Sequence, residues 1–337
     1  MTLVPSSARF PVTSRASMSW YLRPSHPLLK RSVELVDALT VAGRKGPAEI
    51  RRLRDSGFSA PVLFDGCGYA GQELPPPTEW VTSQREAGAD RLLLPGVYVP
   101  WDKEDNTELV LLIKEQSSMS ADLDAGMLIA ADARWIARKC DVVLEALLEA
   151  GRPTALVLAD RADPLAVGGA VAGLRRLAQT VPQLGILRSD HGALGAVAFG
   201  AVHASIGLNT STRHFAAAAM RARRLPGGSS RVFVRPLVDW FRASEIAGWF
   251  AAGLNLKCNL QCCNGASLDR FLDDDLDATW HNMNALADFA DVVLSVNEED
   301  RAIEFLTACR AAASQYGLAG FKGPESPKAQ LTGWALC

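Results

Sequence analysis

The fold of this chain is decided by residues 154–187, which read TALVLADRADPLAVGGAVAGLRRLAQTVPQLGIL. The apolar run at 154–159 predicts a strand, the amphipathic stretch at 166–180 predicts a helix, and the run at 184–187 predicts a second strand. Short apolar strands that alternate with longer amphipathic helices are typical of a parallel sheet with crossover helices. This stretch therefore indicates an α/β fold.

The same alternation continues on both sides of this unit. Further strands are predicted at residues 61–64, 91–99, 126–130, 204–208 and 231–234, with an earlier one inside 15–22, and further helices at 48–54, 107–116, 134–150, 193–201 and 212–224. About eight units result, which is the count of a closed (β/α)8 TIM-like barrel. A doubly wound open sheet is the alternative, but no Gly-x-Gly-x-x-Gly turn follows the first strand. We expect a barrel over residues 1–250, a zinc-binding segment with C-terminal helices packed on the barrel over 251–320, and a loose tail over 321–337.

Composition and charge limit the classes of function. With 337 residues, 48% of them hydrophobic, the chain can bury a large core. A net charge of -2 and a pI near 6.2 exclude a strongly basic protein, so nucleic-acid binding would depend on a local patch. No apolar run is long enough for a signal peptide or a membrane span, and the remaining cysteines lack a disulfide spacing. These features predict a soluble, cytoplasmic protein without membrane contact.

Three cysteines and a histidine lie close together late in the sequence. They are Cys258, Cys262, Cys263 and His281. Such a set suits tetrahedral zinc, and Asn264-Gly265 supplies a turn that would let the adjacent thiols reach one ion. Buried free thiols are the alternative, although the polar residues between the cysteines argue against a hydrophobic face. Zinc is therefore the predicted cofactor.

Acidic residues follow several predicted strands, at the end of a barrel where active sites form. They are Asp65, Asp132, Asp160 and Asp190. Each one taken alone is explained as a helix N-cap or a turn residue, but together they predict a cluster of carboxylates at one mouth. The pair Asp190-His191 also admits metal or general-base chemistry, although neighbouring side chains there point in different directions.

The turn after the strand at 61–64 reads Asp65-Gly66-Cys67-Gly68-Tyr69. Gly66 and Gly68 would let a flat ligand approach the backbone, and Tyr69 offers a ring for stacking. These features favour a purine-like base as the substrate.

These motifs resemble those of the tRNA-guanine transglycosylases and of their relatives that insert 7-deazaguanines into DNA. The resemblance covers about residues 60–285 and implies a zinc-containing barrel. It implies that Asp65 opens the first turn and that Asp132 takes the place of the second, base-recognising acid. It also implies that Cys258, Cys263 and His281-Asn282 take the place of the zinc site. The middle zinc ligand of the family would fall on Leu260, whereas the cysteine here is Cys262. The family's nucleophilic Asp also has no counterpart, since Ser205 or a neighbour stands there.

Base exchange at C1′ needs a group that captures the sugar and another that moves protons. We predict Asp190 as the nucleophile, Asp65 as the acid/base partner and Asp132 as the residue that binds the base edge.

Basic residues near the strand at 204–208 are candidates for phosphate contacts. These are Arg213, Arg221, Arg223 and Arg224, with His214 beside the first. A solvated helix end is the alternative explanation for this cluster.

The expected function is the exchange of guanine for a 7-deazaguanine base in nucleic acid, more in DNA than in tRNA. A catalytically silent barrel that binds nucleic acid or a partner subunit, and a barrel hydrolase of a small metabolite, are the alternatives. A homodimer or partner subunits of a DNA-modification system are conceivable assemblies.

Overall fold

Eight parallel strands form a ring at the centre of the molecule. The computed structural model describes residues 18–36, 38–220, 229–272, 275–318 and 323–337. In chain order the strands β1 to β8 are Met18–Leu22, Ala38–Ala42, Val62–Asp65, Val97–Val99, Met127–Asp132, Thr154–Ala159, Leu184–Ser189 and His203–Gly207. They lie in the order β3-β2-β1-β8-β7-β6-β5-β4. Bridges from Leu63 of β3 to Arg91, and from Leu93 to Gly126 just before β5, place residues 91–93, which precede β4, between β3 and β5. The predicted TIM-like (β/α)8 fold is confirmed.

Helices connect the strands and surround the ring. Helices α1 to α8 are Gly46–Asp55, Pro77–Glu86, Thr107–Leu123, Ala133–Arg138, Cys140–Ala150, Ala170–Thr180, Gly192–Ala198 and Thr210–Arg213. The predicted helix at 134–150 is two helices, because Lys139 leaves the helical region at φ -130° and ψ 40°. Among the described residues, every helix is too short or too polar to traverse a lipid bilayer.

A C-terminal region packs against the barrel. It comprises an antiparallel hairpin of β9 and β10 and helices α9 to α12, which are Arg231–Val234, Asp239–Arg242, Ala243–Ala251, Asp275–Leu294, Arg301–Gln315 and Ala329–Ala335. The loose tail expected over 321–337 is wrong for its described part, since α12 buries Trp334 fully and sets its ring edge-on to Phe305 at 5.1 Å. The two large apolar side chains anchor the last helix.

The barrel interior has an apolar part and a polar part. Apolar side chains from β3, β5, β6 and β7 fill the apolar part, which the rings of Tyr69 and Phe215 adjoin. On β1 and its neighbours, the Ser19 hydroxyl lies 2.8 Å from Thr40 Oγ1 and 3.0 Å from His203 Nε2. His203 is therefore a buried, hydrogen-bonded core residue.

The barrel strands differ from the sequence prediction in one respect. Residues 231–234 were expected to complete the barrel, but they form β9 of the hairpin, and β2 at Ala38–Ala42 takes the missing place. All five residues of β2 are buried. A short segment that is buried on both faces shows no alternation of apolar and polar residues, so its pattern does not reveal a strand.

Candidate metal centre and barrel mouth

The three cysteines and the histidine predicted as zinc ligands lie together. The Sγ atoms of Cys258, Cys262 and Cys263 and a ring nitrogen of His281 are all within 4.8 Å of one another. Cys263 Sγ is 3.4 Å from Cys262 Sγ and 3.3 Å from His281 Nδ1. This is the donor set of a tetrahedral site of three thiolates and one imidazole.

A tight loop brings the adjacent thiols to one point. The backbone N–H of Gly265 donates to the carbonyl of Cys258 at 2.8 Å, and that of Cys258 donates to Ala266 at 3.1 Å. Asn264 and Gly265 both have positive φ, at 49° and 82°. The turn predicted at Asn264-Gly265 is confirmed, and it resolves the difficulty that neighbouring side chains normally point apart.

The histidine is oriented by the hairpin. His281 Nε2 lies 3.0 Å from the carbonyl oxygen of Phe233 and donates to it, which leaves Nδ1 as the free donor atom facing Cys263. The neighbouring Asn282 accepts from the Phe233 N–H at 2.7 Å and donates to the Arg231 carbonyl at 2.7 Å. Metal-binding histidines usually donate a hydrogen bond from the ring nitrogen that does not bind the ion, as Nε2 of His281 does here.

The surroundings of Cys263 favour its thiolate form, whereas hydrogen bonds to Cys258 and Cys263 raise the pKa of Cys262. Hydrogen bonds from Cys258 and Cys262 lower the pKa of Cys263 far below its usual range, and Arg270 adds a donor at 3.2 Å from the sulfur. Burial opposes protonation of His281, but hydrogen bonds to Cys258 and Cys263 outweigh it and raise its pKa to about 9. The buried cluster can hold a metal ion, and its donors are compatible with zinc.

Asp65 lies at the barrel mouth inside a closed network. Its Oδ2 accepts from the hydroxyls of Tyr21 and Tyr69, both at 2.6 Å, and its Oδ1 accepts from the Cys67 N–H at 2.8 Å. Burial, with Asp65 nearby, raises the pKa of both tyrosines well above the usual value, so they stay protonated donors. Arg188 reaches Tyr69 Oη at 3.4 Å. The carboxylate is fully buried and presents no free oxygen to a substrate.

The glycines and the tyrosine of this turn are not free for a ligand, contrary to the prediction. A Cβ on Gly66 would lie 2.6 Å from Leu74, and one on Gly68 would lie 2.9 Å from the Gly96 carbonyl, so the turn's own neighbours occupy that space. Tyr69 is 7% exposed, and its ring packs edge-on against Phe215 at 4.8 Å. The turn packs the mouth instead of opening it.

Asp132 ends β5 and forms a two-pronged pair with Arg134. The Arg134 Nε donates to Oδ1 at 2.8 Å and its Nη2 donates to Oδ2 at 2.7 Å. The carboxylate also caps α4 through the Arg134 N–H at 2.9 Å. The Asp132 side chain is 1% exposed, whereas that of Arg134 is 47% exposed. The arginine can therefore leave the carboxylate for solvent.

Asp190 belongs to a third network, on the side of β7 that faces α12. Its Oδ1 accepts from the Gly192 N–H at 2.9 Å and from Gln330 Nε2 at 2.8 Å, while its Oδ2 is 3.2 Å from His214 Nε2. Although burial opposes ionisation, His191 and these hydrogen bonds lower the pKa of Asp190 far below its usual range. Burial and the neighbouring Asp190 raise the pKa of Asp163 to about 7.

Three of the four predicted strand-end acids therefore do not share their hydrogen-bond partners. Asp65, Asp132 and Asp190 have separate hydrogen-bond partners. The segment that includes α8 runs between the networks of Asp65 and Asp190, since its Ser211 carbonyl accepts from Arg188 and its His214 contacts Asp190. The expected convergence of these carboxylates on one bound base is wrong.

The end of β8, where the resemblance would put a nucleophile, carries no acid. Ser205 is fully buried and lies opposite Ser19 in the parallel register of β8 with β1. Two residues later, a Cβ on Gly207 would lie 2.1 Å from the Thr212 backbone, so this position cannot accept a side chain without moving α8.

The predicted phosphate contacts are in part corrected. Arg213 is 3% exposed, and its guanidinium lies 3.6 Å from the ring centroid of Trp240. His214 faces Asp190. Both side chains are therefore directed inward and not toward a surface phosphate. The predictions for Arg221, Arg223 and Arg224 lie outside the described residues.

Sequence reasoning missed several residues of these networks. The sequence could have indicated Tyr21 and Arg188 as residues of the mouth, because each is a polar residue near the carboxyl end of a predicted strand. Gln330 and Asp163 gave none, since one lies on a distant helix and the other lies in a loop where Asp is common. Tyr98, which is half-buried near Asp132 with its ring 5.5 Å from that of Phe215, was also missed.

No protein-family model matches the chain, and no curated protein matches it either. Solved structures similar to it include a xylose isomerase-like TIM barrel/4-hydroxyphenylpyruvate dioxygenase fusion protein, with 14% identity and a TM-score of 0.36. The alignment covers 57% of this chain and 38% of that one. Another is the tryptophan synthase complex from Pyrococcus furiosus, with 12% identity, a TM-score of 0.35 and coverage of 57% and 86%. Likeness at this level concerns the fold alone.

Proposed function

We propose that the chain is a transglycosylase-like barrel that binds a guanine or 7-deazaguanine base at Asp132 and does not exchange it. The pairing of Asp132 with Arg134 carries this proposal. Two parallel N–H donors of the guanidinium occupy the two carboxylate oxygens, at 2.8 and 2.7 Å. The N1–H and the 2-amino group of a guanine-type base present the same arrangement of two parallel donors.

The surroundings of Asp132 suit a planar ligand. Arg134 is half-exposed, so its guanidinium can move into solvent while the two donors of a base take over both carboxylate oxygens. Tyr98 and Trp101 are partly exposed rings near the pair, and the Arg134 guanidinium lies 5.8 Å from the Trp101 ring centroid. A bound base would stack on these rings, and not on the buried Tyr69.

The absence of exchange is inferred from two features of the described residues. The predicted nucleophile, Asp190, is held by Gln330, His214 and a backbone N–H in its own network. Gly207 leaves no side chain at the end of β8. A carboxylate that is to attack C1′ must reach the sugar of the base bound at Asp132, and neither position supplies one there.

We further propose zinc as the ion of the Cys258, Cys262, Cys263 and His281 cluster. Its role is to tie the cysteine loop to α10, whose His281 is in turn hydrogen-bonded to the Phe233 carbonyl of the hairpin. The ion would be structural, since four protein donors leave no open position.

Equilibrium dialysis with tritium-labelled 7-deazaguanine tests the base site. Asp132→Asn should weaken binding at least about tenfold, because the amide loses the charge and offers one acceptor in place of two. Arg134→Ala should strengthen binding several-fold by removing the competing guanidinium. Asp141→Asn is the matched control, since Asp141 is an exposed carboxylate on α5 that also pairs with an arginine, Arg176 of α6, at 2.5 Å.

The wild-type chain is then incubated with the labelled base and either DNA or tRNA. We expect no label in either nucleic acid. Incorporation into one of them would assign base exchange to the chain and overturn the silent-barrel proposal. If the wild-type chain binds no base, or if Asp132→Asn and Asp141→Asn bind it equally well, the site at Asp132 is refuted.

A further inference from the structure

A second cluster of metal-ligating side chains lies beside the mouth, apart from the cysteines. Asp163 lies in the loop after β6, Asp190 directly follows β7, and His214 directly follows α8. One ligand atom from each lies within 4.8 Å of the others. Three loops of the barrel therefore bring two carboxylates and an imidazole to one point.

A neighbouring histidine lacks a partner at this point. His191 is 2% exposed, and neither ring nitrogen has a hydrogen-bond partner among the described residues. Its Nδ1 lies 3.9 Å from Asp190 Oδ1, so the ring faces the cluster. An unsatisfied buried polar group costs about 1–3 kcal/mol, and native proteins normally satisfy such groups with a protein atom, a water or an ion.

The basic groups nearby do not neutralise the two carboxylates by contact. Lys328 pairs with Asp239 of the hairpin at 3.1 Å. Arg213 stacks on Trp240, and its Nε and Nη1 have no hydrogen-bond partner in the described part of the chain. Buried carboxylates that lie close together are stabilised by a cation between them.

Asp190 is held in an orientation suited to metal binding. Gln330 and the Gly192 N–H both donate to Oδ1, which leaves Oδ2 to face His214. Outer hydrogen bonds that fix one carboxylate oxygen while the other binds an ion are typical of metal sites.

We propose that Asp163, Asp190 and His214 bind one divalent first-row transition ion, with His191 hydrogen-bonded to a water on that ion. Two carboxylates and an imidazole without thiolate suit manganese, iron or zinc. The ion takes the place of the proton or hydrogen bond that now joins His214 to Asp190. This site is independent of base binding at Asp132 and of the cysteine cluster.

Manganese is the probe, because Mn²⁺ competes poorly for thiolates and has an electron paramagnetic resonance signal. The purified chain is dialysed against a chelator, reloaded with one equivalent of zinc, which the thiolates of the cysteine cluster take up first, and then titrated with Mn²⁺. We expect one Mn²⁺ per chain, and a further test on protein with ¹⁵N-labelled histidine should show coupling to an imidazole nitrogen. This wild-type measurement does not depend on whether any variant folds.

His214→Ala and Asp163→Asn should each weaken Mn²⁺ binding more than about tenfold, since loss of even an outer-shell partner commonly costs 10–100-fold. Asp160→Asn is the control, because Asp160 also follows β6 but its carboxylate accepts from the Ala162 N–H and is not part of this cluster. No bound Mn²⁺ in the wild-type chain at millimolar concentration overturns the proposal. Equal affinity in all three variants overturns it as well.

Discussion

Asn282 should contribute more to stability than its position beside a metal ligand suggests. It is 1% exposed and makes two hydrogen bonds of 2.7 Å to the backbone of β9. Asn282→Ala leaves the buried Phe233 N–H and the Arg231 carbonyl without these partners. At about 1–3 kcal/mol for each unsatisfied group, and with the partly exposed Arg231 at the low end, the loss is about 2–4 kcal/mol. This is a large part of a typical stability of about 5–15 kcal/mol.

The measurement is urea unfolding of metal-loaded protein, followed by circular dichroism and fluorescence. Asn284→Ala is the matched control on the same helix, because the Asn284 side chain donates to the Trp280 carbonyl one turn earlier, at 2.8 Å, a bond within the helix itself. Both variants gain the same helix propensity, so their difference reports the clamp on β9. A difference below about 0.5 kcal/mol, within the usual range for a surface substitution, would refute the assignment of a structural clamp to Asn282.

Three further outcomes follow from burial and packing. Gly207→Ala should lower the free energy of unfolding by about 1–3 kcal/mol through overpacking. Gly248→Ala, with no atom within 4 Å of the new Cβ, should instead raise it by up to about 1 kcal/mol. Urea titrations in which the free energy of unfolding changes in the same direction in both variants would contradict this. Burial raises the pKa of Cys67 to about 12, so at pH 8 it should resist alkylation that labels the half-buried Cys140. The labelling of Cys67 should increase as the pH rises toward 12. Mass spectrometry of tryptic peptides shows which of the two cysteines is alkylated first. Cys263→Ser should lose the bound zinc, as measured by mass spectrometry of the metal, and an unchanged zinc content would exclude this thiolate from the site.

Part of the metal centre was predictable because its residues are close in sequence. Cys258, Cys262 and Cys263 lie in one loop, and the dipeptide Asn264-Gly265 predicts the turn that lets their thiols converge. Only the structure showed that His281 is oriented by the Phe233 carbonyl, because that strand lies 48 residues earlier. Local spacing does not encode such a contact.

The side-chain contacts at the barrel mouth were less predictable, because they too join residues that are far apart in sequence. The strand-end positions of Asp65, Asp132 and Asp190 followed from the sequence, but their partners did not. Asp65 is satisfied by Tyr21, which lies 44 residues away, and Asp190 by Gln330, which lies 140 residues away. The expectation of one shared site rested on the strand-end positions alone, which do not give the partners of these carboxylates.

The sequence by itself determined the alternation of strands and helices, the barrel class and the cysteine-histidine cluster, because periodicity and short spacing are local properties of the chain. The tertiary structure alone decided that β2 belongs to the ring, that Arg213 points inward, and that the three acids separate. Those outcomes depend on which distant segments pack against each strand end, and a buried polar group takes whichever partner that packing brings within hydrogen-bond distance.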